Sequence, residues 1–393
     1  MIQIINKKDC CGCTACLSVC PKKCINMEAD EEGYLYPKVD TSICIECHLC
    51  EKVCPILNPV KLGSFEPKAY AVQHKVLSIR ENSASGGAFS ALAGYILEHG
   101  GVVYGGAFNS DFHVLHIRVE SLTGLEELRG SKYVQSDMGE IFSLVKKDLK
   151  NGRMVMFSGT PCQIEGLVNS LGGLYPSNNL FLVDLVCHGI PSPLFWNKFI
   201  AHLSKKYGTL KFVSFRNKYF GYAGSTMAMK FEGGKMKYLD RDIQFYKKLF
   251  FDDINTRPSC FHCKFKTVKR ISDFTIFDCW HVNEVSKKMD DDLGTTWVIV
   301  QSTKGFHFFE TIKPSVNWTE ASIETAINLD GQLAVNCTMP NPRREQFFKD
   351  MHKYEFDKLL EMYYPMTMKK RLTNIVKPVF AKFGLIKLLK RLH

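Results

Sequence analysis

Eight cysteines near the start of the chain fall into two runs, Cys10, Cys13, Cys16, Cys20-Pro21 and Cys44, Cys47, Cys50, Cys54-Pro55, each spaced C-x2-C-x2-C-x3-C-P. A cubane 4Fe-4S cluster needs four thiolates converging on its corners. A tight turn supplies three of them at x2 spacing, and the fourth comes from the other run, so that each cluster staples both halves. The spacing assigns a first cluster to Cys10, Cys13, Cys16 and Cys54, and a second to Cys44, Cys47, Cys50 and Cys20. Two complete copies, each closed by proline, speak against a zinc ribbon or a disulfide scaffold. Cys11 and Cys24 lie outside the pattern and receive no role.

Four later cysteines sit where strands give way to helices. Arg153 to Phe157 reads as a short apolar strand, and Ser158-Gly159-Thr160-Pro161-Cys162 turns into a helix near Gln163. Leu180 to Val186 reads as a buried strand ending in Cys187-His188-Gly189, with a helix from about Pro193. The carboxyl edge of an open α/β sheet is where ligands bind. A single buried cysteine is usually a small core residue, but two at equivalent strand ends suggest a shared site. Cys260 and Cys263, a C-x2-C in a basic, aromatic loop, are half a zinc site alone and complete a set of four with Cys162 and Cys187. His188 is either a hydrogen-bonding neighbour of that site or a proton donor; His281 is a weaker candidate for the same role.

Two loops could take an anion. Ser83-Ala84-Ser85-Gly86-Gly87 enters a helical pattern that ends at Gly100-Gly101, so free backbone N–H groups and the helix dipole would face a cofactor phosphate. The same residues also suit an ordinary helix cap. In the polar loop Arg129 to Ser136, Ser131 and Lys132 could reach a pyrophosphate, or the loop could simply be solvated.

The elements that must position these residues follow from pattern. Glu28 to Asp40 reads as a hairpin between the cysteine runs, the arrangement of a two-cluster ferredoxin. The proline-rich stretch after Pro55 reads as a linker, giving a ferredoxin domain over 1–58. Val102 to Glu120 alternates around Asn109-Ser110-Asp111 as a second hairpin. Residues 212–240 are strand-like, with a turn at Gly233-Gly234, and 317–365 read as polar and helical. The fold expected is an α+β ferredoxin-like two-cluster domain joined to an α/β domain over 66–310, a helical extension over 311–365 and a basic amphipathic helical tail over 366–393.

Composition narrows the function classes. The chain has 393 residues, 45% hydrophobic and 23% charged, ordinary for a soluble globular protein. Ten of its 16 cysteines precede residue 55, a ligand set rather than a spread of bridges, and such thiolates need a reducing compartment. Met1 to Lys8 is too short and polar for a signal peptide, and no run reaches transmembrane length. Of the net charge of +11, eight units lie between Tyr364 and His393, which contains no acid. A near-neutral body argues against nucleic-acid binding. The tail suits an anionic membrane surface or a solvated docked helix. The expectation is a cytoplasmic protein, peripheral at the inner face of the membrane.

The strings SASGGAFSAL, RGSKYVQS, FSGTPCQIEGL, LVDLVCHGIPSP, SFRNK, RPSCFHCKFK and ISDFTIFDCW, in this order, resemble the beta subunit of the coenzyme F420 hydrogenase/dehydrogenase family over roughly residues 1–310. The resemblance implies FAD in the α/β domain, contacted by Ser83, Ser85, Gly86, Gly87, Ser131 and Lys132. It also implies a third 4Fe-4S cluster on Cys162, Cys187, Cys260 and Cys263. The chain departs from the family at Asp278-Cys279-Trp280-His281, where Trp-Gly follows an aromatic residue more often. That makes Cys279 an alternative ligand. The implied activity is an iron-sulfur flavoprotein oxidoreductase, fed by a ferredoxin-like or other redox protein and reducing an unspecified acceptor. A non-catalytic electron-transfer subunit, serving a separate enzyme at the membrane in glycan or polysaccharide biosynthesis, is the alternative.

Overall fold

The computed structural model describes residues 1–367 and Val376. The expected amphipathic tail therefore lies outside the described residues, apart from Met366, Thr367 and Val376. Near the N-terminus, strands β1 (Ile25–Ala29) and β2 (Leu35–Val39) form the expected hairpin. Two one-turn helices, Ala15–Ser18 and Leu49–Lys52, carry cysteines of the two runs. Each is entered through a left-handed residue, Thr14 at φ 65° and His48 at φ 58°, the sharp turn that x2 ligand spacing requires. Cys16, Cys24 and Cys50 form a small core with Ile2 and Ile25.

The body is organised by strands β3 (Lys68–His74), β4 (Val102–Phe108), β5 (Val114–Val119), β6 (Val155–Gly159), β7 (Leu180–Leu185), β8 (Leu210–Asn217), β9 (Thr226–Phe231), β10 (Phe274–Asp278), β11 (Thr296–Val300) and β12 (Val316–Ala321). Eight of them make one sheet in the order β12-β3-β11-β10-β7-β6-β4-β5. Its centre, β10-β7-β6-β4, is parallel, and antiparallel strands complete both sides. The central strands are continuously apolar, VMFSG and LFLVDL, because both faces are covered. Helices Ala88–Glu98 and Thr303–Ile312 cover one face, and Ile141–Lys150 and Pro161–Leu171 the other. The β4–β5 hairpin turns where the sequence placed it.

Two expectations are corrected. The polar stretch read as helical from 317 begins as strand β12, which pairs along its length with β3. Its alternation is that of an edge strand with one exposed face; Trp318 remains 40% exposed and packs under the Lys313 ammonium. In the 212–240 region, β9 pairs with the preceding β8, and the segment after Gly233-Gly234 adds only a bridge between Met229 and Lys237.

The β8–β9 ribbon shares a core with helices Pro193–Tyr207, Arg241–Phe251, Arg344–Lys353 and Phe356–Tyr363, dense in aromatic rings such as Phe195, Trp196, Phe199 and Tyr246. Tyr34, at the tip of the β1–β2 hairpin, is fully buried in this core. Its hydroxyl donates to the Asn255 carbonyl at 2.6 Å. Arg344 makes a two-pronged ion pair with Glu32, one arm at 2.8 Å. Ser192 Oγ donates to the Glu32 carbonyl at 2.5 Å. The hairpin is thus plugged into a socket in the body.

Candidate functional site

The predicted ligands of the second cluster, Cys20, Cys44, Cys47 and Cys50, line one small cavity. Amide N–H groups point at its sulfurs: Ile2 donates to Cys50 Sγ at 3.2 Å and Cys24 to Cys20 Sγ at 3.4 Å. Burial opposes ionisation of Cys20, but donors from Cys24, Lys22 and Lys23 outweigh it and hold the thiol below its ordinary range. Cys24, given no role from the sequence, lines the same cavity with its sulfur 3.3 Å from that of Cys20. Among the first-cluster cysteines, Cys10, Cys16 and Cys54 lie close enough to repel one another's charge, and Cys13 couples to Cys16. Burial pushes the Cys16 thiol up to about 12. A thiolate there needs a positive centre to ionise against, which is what an iron-sulfur cluster provides.

The four downstream cysteines converge. Cys162, Cys187, Cys260 and Cys263 line a cavity of about 140 Å³, together with Cys11. They arrive from three places: the first turn of helix Pro161–Leu171 after β6, the end of β7, and the short turn Pro258–His262. The helix start is fixed by a capping box in which the Thr160 N–H donates to Gln163 Oε1 at 2.8 Å. Lys266 anchors the β7 end, donating to the Cys187 carbonyl at 2.5 Å. Burial raises the Cys187 thiol to about 12 and Cys263 to about 11. Sulfurs spread around a cavity suit a cubane, which presents an iron at each of four corners. Cys279 is excluded from this set: it sits one residue past β10, does not line the cavity and is fully buried in a core with Ala69 and Trp297. Cys337 donates to the Cys263 carbonyl at 3.7 Å but does not line the cavity.

A larger cavity of about 420 Å³ lies at the carboxyl edge of the sheet, within the rough 300–1,000 Å³ range of small-molecule sites. Ser83, Ser85, Gly87, Ser131 and Lys132 all line it. Gly87 has φ 87° and starts helix Ala88–Glu98, so backbone N–H groups and the dipole of that helix face the space. The donor chemistry fits an anionic cofactor such as a flavin dinucleotide. Gly86 does not line the cavity. Its N–H donates to Thr296 Oγ1 at 2.8 Å, and a Cβ there would lie 2.3 Å from the Val72 carbonyl, so this glycine serves close backbone packing. The Lys132 ammonium donates to the Glu127 and Arg129 carbonyls at 2.8 Å each, and burial lowers it to about 7.

The opposite wall holds Arg216, which the sequence did not single out, beside Asp278 and Trp280. Arg216 forms a two-pronged ion pair with Asp278 at 2.5 and 3.0 Å, and its guanidinium lies 4.5 Å from the Trp280 ring centre. Tyr222 stacks on Trp280 and donates to Asp278 at 3.0 Å. The departure at 278–281 thus builds a wall in which alternate residues, Asp278 and Trp280, face the cavity. His116 is buried in the floor between Ser136 Oγ at 2.7 Å and the Ser158 carbonyl at 3.0 Å. Burial lowers it to about 4. His188 bonds Asp253 Oδ1 at 3.0 Å, and the exposed His281 bonds Asp330 at 2.7 Å. Thr160 and the segment Cys187 to Ile190 line both cavities. The cysteine site and the larger site share a wall one loop thick.

Residues 152–325 match the family model for the C terminus of the coenzyme F420 hydrogenase/dehydrogenase beta subunit, and residues 9–57 match a 4Fe-4S dicluster domain. Over 70 residues the chain is 37% identical to an NADH-quinone oxidoreductase subunit I of Geobacter metallireducens, covering 16% of this chain and 53% of that protein. The chain thus spans about half the length of that relative. It is 34% identical over 65 residues to an uncharacterized ferredoxin of Methanocaldococcus jannaschii, covering 16% of this chain and 82% of the ferredoxin. Among solved structures, the F420-reducing [NiFe] hydrogenase complex from Methanosarcina barkeri contains a chain that aligns with TM-score 0.45 and 18% identity, covering 77% of this chain and 92% of that one.

Proposed function

Because the chain belongs to the coenzyme F420 hydrogenase/dehydrogenase beta-subunit family and carries a 4Fe-4S dicluster domain at its head, we propose that it is an FAD-dependent iron-sulfur oxidoreductase. It takes electrons singly from a ferredoxin-like redox partner and hands them on in pairs. The observation that carries this reading is the shared wall: Cys187 and its neighbours border both the four-cysteine cavity and the larger one. Cys10, Cys13, Cys16 and Cys54 would hold the first cluster, Cys20, Cys44, Cys47 and Cys50 the second, and Cys162, Cys187, Cys260 and Cys263 a third. FAD, when bound, would supply the conversion from one-electron to two-electron chemistry. Ser85, Gly87 and Ser131 would meet its phosphates through backbone N–H groups and the Ser131 hydroxyl, while Ser83 shapes the loop, since the Ser83 and Ser85 hydroxyls donate to the Ile79 and Thr295 carbonyls. Neutral His116 would fix the loops of Ser136 and Ser158 beneath it. Trp280 and Arg216 would close the far wall against water. The eight Lys/Arg beyond Tyr364 would bring the chain to an anionic membrane surface.

Iron, sulfide and flavin content after anaerobic purification tests the proposal. About 12 iron atoms and one FAD per chain are expected, since each cubane holds four irons. About 8 iron atoms without flavin would leave only the dicluster domain functional and remove the oxidoreductase reading. Turnover of the purified chain alone, with reduced ferredoxin and a panel of acceptors, then separates an enzyme from an electron-transfer subunit.

A further inference from the structure

The cavity shared by Cys162, Cys187, Cys260 and Cys263 is lined by four cationic side chains, Lys8, Lys264, Lys266 and Arg270, and by one acid, Asp9. Three of those cations are accounted for. Lys8 and Lys264 are exposed, with Asp9 next to Lys8 in the chain, and Arg270 pairs with the buried Asp184 at 3.0 Å. Lys266 is partly buried, and its partners are of another kind. Its Nζ donates to the Cys187 carbonyl at 2.5 Å and to the Leu333 carbonyl at 2.6 Å, and among the described residues no carboxylate forms an ion pair with it. It thus ties the loop after β7 to helix Gln332–Val335 and to its own segment, three residues past Cys263. A charge withdrawn from water needs a partner of opposite charge. Two carbonyl dipoles solvate the ammonium but leave its charge uncompensated, and the space it borders is the four-cysteine cavity.

We propose that Lys266 is the counter-charge of the third cluster and the residue that sets its reduction potential. The proposal rests on the three-cluster reading above. A cubane held by four thiolates is anionic, and gaining an electron makes it more so. A fixed positive charge at its edge therefore favours the reduced form, since net charge is one of the terms that set the potential. The step is an electron transfer alone: the donor cluster loses the one electron that the third cluster gains, with no bond made or broken and no proton moved. The second ligand set lacks such a residue. Of the basic groups lining its cavity, the Met1 amine and His48 both meet Glu51, at 3.3 and 2.5 Å, and Lys22 is exposed. The third cluster therefore has the higher potential of the two. An electron entering at the second set, where Cys47 is exposed, runs downhill to the wall of the large cavity.

The test compares the full wild-type chain with Lys266→Gln, which keeps a donor but loses the charge, and Lys266→Arg, which keeps the charge. All are purified anaerobically and titrated electrochemically under electron paramagnetic resonance, with the third cluster's signal identified as the one missing from Cys260→Ala. Lys266→Gln is expected to lower the equilibrium constant for reducing the third cluster about tenfold, a downward shift of about 59 mV for one electron, with the other signals and the iron content unchanged. Lys266→Arg should stay close to wild type. An unshifted potential in Lys266→Gln would overturn the proposal, and so would an equal drop in both variants, which would assign the effect to the lost lysine geometry. Should Lys266→Gln shed about four irons, Lys266→Arg decides: retention there supports the counter-charge, and loss in both overturns it by making the residue a structural tie. A wild-type chain with about 8 irons and only two cluster signals would instead remove the three-cluster reading itself.

Discussion

Arg257 Nε donates to the Cys10 carbonyl at 3.0 Å, joining residues 247 positions apart. The guanidinium is wholly buried and also reaches the Leu35 carbonyl at 3.0 Å and Gln135 Oε1 at 3.2 Å, with the Tyr36 ring 4.2 Å away. Three residues further along the chain is Cys260. One side chain therefore sets the spacing between the proposed ligands Cys10 and Cys260; burial raises the Cys10 thiol, and the Arg257 charge works against that.

Replacing Arg257 by Lys keeps a charge but cannot reproduce three divergent donors. At least one buried carbonyl loses its partner, at a cost of about 1–3 kcal/mol. The expected outcome is faster hydrogen exchange across residues 9–39 with little change in the large sheet, and a lower first-cluster reduction potential. Unchanged exchange in that segment would mean that the hairpin socket docks the domain without Arg257.

The Glu32–Arg344 pair makes a separable claim about the socket. Its side chains are 13% and 9% exposed, so Glu32→Gln leaves a largely buried guanidinium without its counter-charge. Breaking such a pair costs about 3 kcal/mol. Chemical denaturation monitored by cluster absorbance should show the loss, and Glu32→Gln with Arg344→Met together should recover part of it. A double variant as unstable as the single one would show that the hydrogen-bonded frame, rather than the unpaired charge, carries the effect.

The proposed third ligand set can be counted directly. Cys260→Ala should lower iron from about 12 to about 8 atoms per chain, while Cys279→Ala should leave it at about 12. The contrast follows from position: Cys260 lines the cavity, and Cys279, buried just past the end of β10, does not. Equal iron in the two variants would remove the assignment.

What could be read from the chain and what could not divides along locality. The eight N-terminal cysteines were legible because ligand spacing within a turn is a local property. The place of Cys162 and Cys187 at strand ends was legible because an apolar strand followed by a helix start fixes where the loop must lie. Cys11 was not: its sulfur belongs to a cavity built by residues roughly 150 to 250 positions away, and spacing within its own run says only that it is surplus. Arg216 and Asp278 likewise meet only after β8 and β10 are placed. The packing role of Gly86 was not legible because a glycine in a Ser/Gly loop can serve ligand approach or backbone packing, and only the proximity of Val72 and Thr296 reveals the second. β12 was misread because an edge strand, polar on its open face, carries little of the apolar signal that marks a central strand.

His116 supplies a pH dependence whose sign can be worked out. Its folded value is lowered by burial to about 4, against an ordinary value of 6.5. Between those values the unfolded chain binds the extra proton and the folded one does not. The stabilisation is complete above about pH 6.5, is lost progressively as the pH falls, and is gone below about 4, amounting to about 3 kcal/mol at most. His116→Asn, which cannot titrate, should show a flatter loss of stability between pH 7 and 5 than wild type in parallel urea titrations. Identical slopes would mean that the ring is protonated in the folded protein, with the Ser158 carbonyl accepting from the imidazolium.

Lys218 bears on the proposed flavin site without lining the cavity. Its ammonium donates to three carbonyls, Arg80 at 2.6 Å and Ser85 and Leu293 at 2.7 Å, and so ties the Ser83–Gly87 loop to the segment before Gly294. Burial, with Arg80 and Arg216 nearby, lowers this lysine to about 7 against the pull of Asp278 and Asp291. Lys218→Met keeps the length and removes every donor, leaving the Ser85 carbonyl short of a partner one residue before the packed Gly86. The loop that would meet the cofactor phosphates then loses its brace, while the N-terminus of helix Ala88–Glu98 stays in place. The expected outcome is a flavin affinity weaker by about tenfold, equivalent to about 1.4 kcal/mol, with iron content unchanged, read by fluorescence titration of the flavin-stripped chain with FAD. Gly87→Ala acts on the same loop by another route, since φ 87° disfavours a side chain and the new Cβ would lie 2.9 Å from that of His74. Both variants should weaken FAD binding; full affinity in both would place the phosphates elsewhere in the cavity.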